Sequence, residues 1–272
     1  SWRKNIWHRL EMNPQKQAQR ADKIIAVSES TKSDLISLFG LDEKKIEVIY
    51  SGVQSIEKPE IPPTFDPRLL ARESSSGCIS GFSSVKKKYN LPDNFFLFLG
   101  TLEPRKNVLG ILKAFTYLKS NGQISADSAL VIAGQRGWLY GEALKLHHDS
   151  PYKDFIRFIG PIEEKDKPLL YRLSRVFVYP SFFEGFGFPP LEAMAAGVPV
   201  VTSRVSSLPE VVADAAILID PYNIKEIAEA MRLLFLNENL RNFYIQKGLK
   251  RAKKFSWEKT ARETFKVLTS AQ

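Results

Sequence analysis

A single cysteine, Cys78, rules out an internal disulfide framework and fits a reducing, cytoplasmic compartment. Histidine is nearly as scarce. Of three, two form the pair His147-His148, and neighbouring helical side chains point in different directions, so the pair does not build a metal site. No zinc-type Cys/His spacing and no RNP-type aromatic run occurs, which sets nucleic acid aside as a partner. No apolar run approaches the roughly 20 residues that a bilayer span requires. Ser1-Trp2-Arg3-Lys4 is not a signal-peptide start. Ser28-Glu29-Ser30 has no histidine nearby, so a serine hydrolase is unsupported. There is no internal repeat, and low complexity is confined to the serine cluster at 74–76.

What is present is ordinary globular material: 44% hydrophobic and 25% charged residues over 272 positions, enough for one large or two smaller units. The net charge of +9 suits phosphorylated substrates or peripheral contact with an anionic membrane face, although a solvated surface would carry it equally well. The absence of an initiating Met, and a helix-like start, suggest a piece of something longer. Residues 1–22 read as a helix in need of a partner surface, followed by strands at 23–28 and 46–50. Between them Ser30 or Thr31 caps a helix Lys32–Phe39 that Gly40 stops. This opening piece is too small to close an independent core comfortably. Residues 54–85, with Pro59, Pro62, Pro63, Pro67 and the serines, read as a linker with a mobile loop.

From there the pattern becomes regular. Apolar strands at 95–99, 129–133, 155–159, 175–179, 199–202 and 216–219 alternate with helices at 107–119, 139–147, 167–174, 191–196, 208–212 and 224–237. Helices at 238–254 and, capped by Ser256, 257–268 close the chain. Such alternation predicts an α/β, Rossmann-like, doubly wound parallel sheet, whose ligands sit beyond the carboxyl ends of the strands.

The chemistry-bearing residues cluster at those ends. After the first strand of this series come Gly100-Thr101-Leu102-Glu103-Pro104-Arg105-Lys106-Asn107, with two adjacent cations on a strand-to-helix turn. A guanidinium fork and a compact ammonium both suit a diphosphate, and cations at a helix start oppose its dipole unless something anionic offsets them. After the second strand, Gly134 leaves room for a flat base against backbone, whereas Trp138 alone reads better as a core residue. After the third, Ile162 follows Gly160-Pro161 and serves either one face of a nucleobase or the core. After the fourth comes Ser181-Phe182-Phe183-Glu184-Gly185-Phe186-Gly187-Phe188-Pro189-Pro190-Leu191-Glu192. Glycines let main-chain N–H groups approach a ligand, the prolines suit a first helical turn, and the helix start behind them favours phosphate. Glu184 and Glu192 border one pocket at different depths, and a glycosidase pair is the rival reading of them. That rival leaves Arg105-Lys106 and the glycine turn unexplained.

The E-x7-E spacing within EGFGFPPLE resembles the signature of retaining GT-B glycosyltransferases of family 4. Ala193–Val201, Ser206–Val212 and Asp220-Pro221 resemble the same family, and Gly100–Asn107 with Ile132–Trp138 its mannosyltransferase-like branch. The resemblance implies that residues 1–53 are the end of an acceptor domain that is otherwise missing. It makes residues 86–254 the C-terminal, donor-binding half of a GT-B fold, and 255–272 a helix crossing back. It further implies a metal-independent, cofactor-free reaction. A hexose moves from a GDP- or UDP-linked donor to a glycan or lipid-linked acceptor with retention of configuration. Carried onto this sequence, Arg105 and Lys106 grip the diphosphate and Glu184 holds the sugar near its reacting carbon. Gly185, Phe186 and Gly187 offer N–H groups, Glu192 accepts from the ribose, and Gly100, Thr101, Gly134 and Ile162 complete the donor site. Thr101 stands where many relatives carry arginine, a place Arg105 can serve. The alternative is a catalytically incomplete module that binds nucleotide sugar or docks a partner.

Overall fold

The computed structural model describes residues 14–54 and 77–270. The chain divides into two compact units, one formed by Ser1–Gly52 with Phe255–Gln272 and the other by Val53–Lys254.

In the larger unit, helix α3 (Gly77–Lys88) leads into β3 (Phe95–Leu99), α4 (Val108–Ser120), β4 (Ala129–Ala133), α5 (Gly141–Asp149) and β5 (Ile156–Gly160). Then follow α6 (Lys167–Leu173), β6 (Val176–Tyr179), α7 (Phe188–Ala195), β7 (Val200–Ser203), α8 (Leu208–Val212), β8 (Ile217–Ile219), α9 (Ile224–Leu236) and α10 (Glu238–Ala252). The six strands form one parallel sheet in the order β5-β4-β3-β6-β7-β8. Chain order therefore reverses between β3 and β6, and the crevice above that reversal is where doubly wound sheets hold ligands. The α/β parallel fold expected from the alternation is the fold observed.

Strand composition explains the order. Every residue of β3 (FFLFL), β4 (ALVIA) and β6 (VFVY) is buried, as central parallel strands covered on both faces must be. Edge strands β5 and β8 are only half-buried. Phe96 stacks on Phe235 of α9 at 4.3 Å and meets Phe115 of α4 edge-on at 6.2 Å, so these two helices share one cover of the sheet. Helices α7 and α10 pack tightly where Gly248 faces Met194, since a Cβ there would lie 3.1 Å from Met194 Cγ.

The residues expected to be a linker, 54–85, are helical from Gly77 onward, because Phe82 and Val85 bury an apolar face. Residues 55–76 lie outside the described residues, as do 1–13 of the expected first helix, of which α1 (Pro14–Arg20) is described.

The smaller unit pairs β1 (Ile24–Ala26) with β2 (Ile46–Val48) in parallel, and α2 (Glu29–Phe39) connects them. Ala26, Leu41 and Ile46 form its buried centre, with Leu35, Ile36 and Phe39 packed against it. The cap of α2 is Ser28, whose Oγ accepts from Thr31 N at 3.0 Å, rather than Ser30 or Thr31. The extended backbone of Ser28 suits a cap, whereas Ser30 and Thr31 already lie in the helix. The last helix, α11 (Trp257–Ser270), returns to this unit. Thr260 Oγ1 donates to Tyr50 O at 2.8 Å and Phe255 meets Tyr50 edge-on at 5.8 Å. Gly52 has to be glycine, because a Cβ there would lie 2.3 Å from Trp257 N.

At the carboxyl end of the sheet the turns after β3 and β4 touch. Gly134 has φ +132°, and a Cβ on it would lie 2.0 Å from the carbonyl oxygen of Gly100. Gly134→Ala should therefore cost about 3 kcal/mol or more, through strain and collision together. Gly122→Ala, at φ +61° with open space around it, should cost about 1 kcal/mol. Comparing their denaturant midpoints checks this, and equal losses would mean that the contact with Gly100 is unimportant.

Candidate functional site

The two turns singled out from the sequence meet above the strand-order reversal. The turn after β3 runs through a short 3-10 segment, Pro104–Lys106, and the turn after β6 runs from Pro180 to Gly187. Backbone and side chain both join them. Phe182 N donates to Arg105 O at 2.8 Å, and Ser181 Oγ lies 2.9 Å from the same carbonyl while its one proton is shared with Glu184.

At the centre is Glu184, 7% exposed. Its Oε1 accepts from Lys106 Nζ at 2.7 Å and from Ser181 Oγ at 2.6 Å, and its Oε2 accepts from Arg105 Nη1 at 2.7 Å. Arg105 Nη1 also donates to Phe183 O at 2.7 Å, and Nη2 to Glu103 Oε1 at 2.6 Å. Lys106 Nζ donates to the buried hydroxyl of Tyr179 as well. Two cations and two carboxylates thus neutralise one another, so the anion expected to offset Arg105-Lys106 is supplied within the chain. Against the inventory of each head group, Arg105 keeps two N–H donors and Lys106 one without a partner among the described residues.

Burial by itself would raise the carboxyl of Glu184, but Lys106, Ser181 and Arg105 outweigh it and hold the group below its ordinary value. Burial pushes the Lys106 ammonium down, and Glu184 offsets only part of that. Burial also works against the Arg105 charge, yet Glu184 and Glu103 raise it above its ordinary value.

Asn107 locks the arrangement from below. It is buried, takes φ 55° and caps α4, its Oδ1 accepting from Gly110 N at 3.1 Å. Its Nδ2 donates to Pro180 O at 3.1 Å and Pro221 O at 2.8 Å, tying together the turns after β3, β6 and β8. Ser207 Oγ shares its one proton between Glu184 O at 2.9 Å and Phe186 O at 2.7 Å, and Glu184 N donates to Ser206 Oγ at 3.0 Å. The glycine turn is thereby fixed from the β7 side. Gly187, at φ +115°, is the N-cap of α7 without a side-chain cap, and Pro189 and Pro190 sit in the first turn. The helix begins three residues earlier than the expected Leu191, because proline without an N–H fits that first turn.

Glu192 lies further along α7, half-buried, and its Oε2 accepts from Tyr171 Oη at 2.8 Å. A cavity of about 260 Å³ opens at the carboxyl ends of β4 and β5, with Ile132, Gly134, Phe158 and Gly160 in its wall and Arg136 and Leu144 at its sides. Ile162 is half-exposed beside that strand end rather than in the core, and Thr101 is exposed. Trp138, expected in the core, is 46% exposed and donates through Nε1 to Glu103 Oε2 at 3.1 Å, since an indole N–H keeps a polar partner. Gly134 owes its missing side chain to packing on Gly100. His147 bonds Lys153 O and His148 bonds Asp149. Among the described residues no three His, Cys, Asp or Glu side chains gather as for a metal, and no helix is long and apolar enough to cross a membrane.

Reading the sequence missed Glu103, Asn107, Tyr171, Tyr179 and Ser207. Asn107 carried a signal, an N-cap residue directly before an apolar helix. The tyrosines carried none, because tyrosine in a buried strand or helix looks like core.

The carboxyl of Glu184 is depressed in the fold, so its contribution to stability is present above its unfolded value and is lost as pH falls through its folded value. Wild type should therefore lose stability below about pH 4.5 more steeply than Glu184→Gln. At pH 7 the variant should be the weaker by about 2–4 kcal/mol, discounted because Arg105 is partly solvated. Denaturant titrations at pH 7 and pH 3 check this. Parallel curves would remove Glu184 from the stabilising ion pairs.

Comparison with known proteins gives the family and the fold. The family model "Glycosyl transferases group 1" matches residues 82–251, and "Glycosyltransferase Family 4" matches residues 1–55. O-antigen chain mannosyltransferase B of Escherichia coli is 34% identical over 256 residues, 94% of this chain and 62% of that protein. Serotype-specific mannosyltransferase WbdA, also of Escherichia coli, is 30% identical over 92% of this chain and 29% of its own length. The chain thus spans less than two thirds of these relatives. A glycosyltransferase from Rickettsia africae superposes with a TM-score of 0.76 at 19% identity, covering 94% of this chain and 66% of that one. Anabaena Alr3699/HepE, crystallised with UDP and glucose, superposes with a TM-score of 0.75 at 21% identity, covering 94% and 65%. These likenesses show the GT-B fold. With residues 82–251, more than half of its length, matched by that model, the chain belongs to the glycosyl transferases group 1 family.

Proposed function

We propose that this chain supplies the donor site of a retaining glycosyltransferase, which moves a hexose from a nucleoside diphosphate to a glycan or lipid-linked acceptor. The observation that carries the reading is the joining of Arg105-Lys106 to the Glu184–Gly187 turn above the β3/β6 reversal. Mannose is favoured as the sugar, because the named function of both Escherichia coli relatives is mannosyl transfer. A nucleoside diphosphate is favoured by the UDP in HepE. On this reading residues 1–53 are the end of an acceptor domain, in keeping with the second family match over residues 1–55.

The residues then divide the work. The spare N–H donors of Arg105 and Lys106 bind the diphosphate, and their charge stabilises the leaving oxygen as the glycosidic bond breaks. The uncapped start of α7, with Gly185, Phe186 and Gly187, adds main-chain N–H groups to phosphate and sugar hydroxyls. Glu184 braces the cations and faces the sugar near its reacting carbon, where positive charge grows in an oxocarbenium-like state. Glu192 takes ribose hydroxyls. The base lies over the cavity lined by Gly134 and Gly160, and Ile162, Gly100 and Thr101 complete the donor site. In this scheme the protein's own cations do what a metal ion does elsewhere, and preorganised charge at the leaving oxygen is the largest catalytic contribution.

Calorimetric titration with GDP and UDP tests the first step, and binding of neither would end the reading. Lys106→Ala should weaken the bound diphosphate about tenfold or more and cut sugar transfer about 10²–10³-fold. Glu184→Ala should abolish most transfer with the fold retained, and both transfer assays are made in the intact enzyme that contains the acceptor domain. Turnover like that of wild type by either variant would take that residue out of the mechanism.

A further inference from the structure

Tyr171 is buried in α6, 1% exposed, and the donor-site reading gives its side chain no role. Its ring is wedged edge-on against Phe177 of β6 at 5.2 Å, and its hydroxyl emerges at Glu192, donating to Oε2 at 2.8 Å. We propose that Tyr171 is a positioning residue that sets the orientation of the Glu192 carboxylate for two vicinal hydroxyls of a ribose. The inference rests on the donor-site reading above and adds a second layer to it.

The argument starts from the torsion that a glutamate leaves loose. Rotation about the last bond of its side chain is broad and roughly two-fold, so a half-buried carboxylate samples many planes. A phenol fixed in the core removes that freedom at one oxygen. Among the described residues Glu192 Oε2 is bonded to Tyr171 and no donor reaches Oε1, so the carboxylate is held on one side and open on the other. Tyr171 suits the task because its ring is buried and packed against Phe177. Its neighbours Leu170 and Leu173 are buried as well, and α6 packs beside α7. Burial raises its hydroxyl well above the ordinary phenol range, with Glu192 adding to the shift, so it remains a donor at every working pH. A second buried phenol, Tyr179 of β6, contacts the other charged cluster by accepting from Lys106. Phe177 lies between the two tyrosine rings, 5.2 Å from Tyr171 and 5.9 Å from Tyr179.

The prediction concerns discrimination rather than affinity alone. The full chain is titrated with GDP and UDP and with their 2′,3′-dideoxy counterparts. Wild type should prefer the ribonucleotide of whichever base binds by about tenfold or more, from charge-assisted bonds to Glu192. Tyr171→Phe should bind the dideoxy compound as wild type does and lose about threefold or more of that preference. In a Glu192→Ala background, Tyr171→Phe should change nothing further. Equal weakening of ribo and dideoxy compounds, or an unchanged preference, would overturn the inference. A wild type that binds neither nucleotide would remove the donor-site reading and this inference with it. A wild type that binds without preferring ribose would sink the Glu192 assignment alone and, with it, the role of Tyr171. Wild-type chain labelled at the tyrosine ζ carbons keeps the test open should Tyr171→Phe not fold. One resonance should move with the ribonucleotide and stay with the dideoxy compound, and no selective response would overturn the proposal.

Discussion

One carboxylate holds the working end of this molecule together. Glu184 is buried in a place where an ionised group is costly, and it is tolerable there only because Lys106, Arg105 and Ser181 fill both of its oxygens. The dependence runs both ways. Lys106 is as buried as its partner, and without Glu184 its charge would have a tyrosine hydroxyl and little else. The turn after β3 and the turn after β6 are far apart in sequence, and this ion pair, with the Phe182–Arg105 backbone bond and Asn107, makes them one site.

The sheet decides that the pair can form. A parallel order that reverses between β3 and β6 brings two strand ends side by side with their helices leaving in opposite senses. The crevice this creates must be floored without side chains, which is why Gly134 lies against the Gly100 carbonyl. It must also be braced by groups that satisfy several backbone atoms at once. Asn107 caps one helix and holds two other turns, and Ser207 holds two carbonyls of the glycine turn. Polar residues at 0–7% exposure would destabilise an ordinary core, but here each one replaces a hydrogen bond that a loop would otherwise take from water.

Much of this was legible from the chain alone, and the reasons are physical. Short continuous apolar runs such as FFLFL and ALVIA, in alternation with helical segments, read as strands buried on both faces, and β3 and β4 carry the expected bounds. Arg105, Lys106, Glu184 and Glu192 stood out because charged residues beside glycine turns are costly unless used. What could not be read was pairing. That Glu184 neutralises the two cations depends on strand order, and no spacing in the sequence encodes which strand end lies beside which. Trp138 was misplaced for a related reason: its indole N–H finds Glu103 across the turn, and that contact is non-local. The helical residues 77–85 were lost among serines and prolines whose composition argues for a loop, although Phe82 and Val85 are buried.

The two glutamates also bear on the rival reading of a glycosidase pair. Hydrolysis of a glycoside by paired carboxyls needs one of them protonated near neutral pH, which requires an environment that raises its pKa. Glu184 sits in the opposite environment, held ionised by its cations, and both of its oxygens are engaged. Held ionised, it is unsuited to donating a proton, and three of its lone-pair positions are already taken by Lys106, Ser181 and Arg105. Glu192, with a phenol on one oxygen, would be left to act alone, and a single carboxyl is not a pair. The same facts favour a leaving group that needs no proton. A diphosphate departs as an anion, so the useful contribution is fixed positive charge, and a buried carboxylate that keeps a guanidinium and an ammonium in place is a means of fixing it.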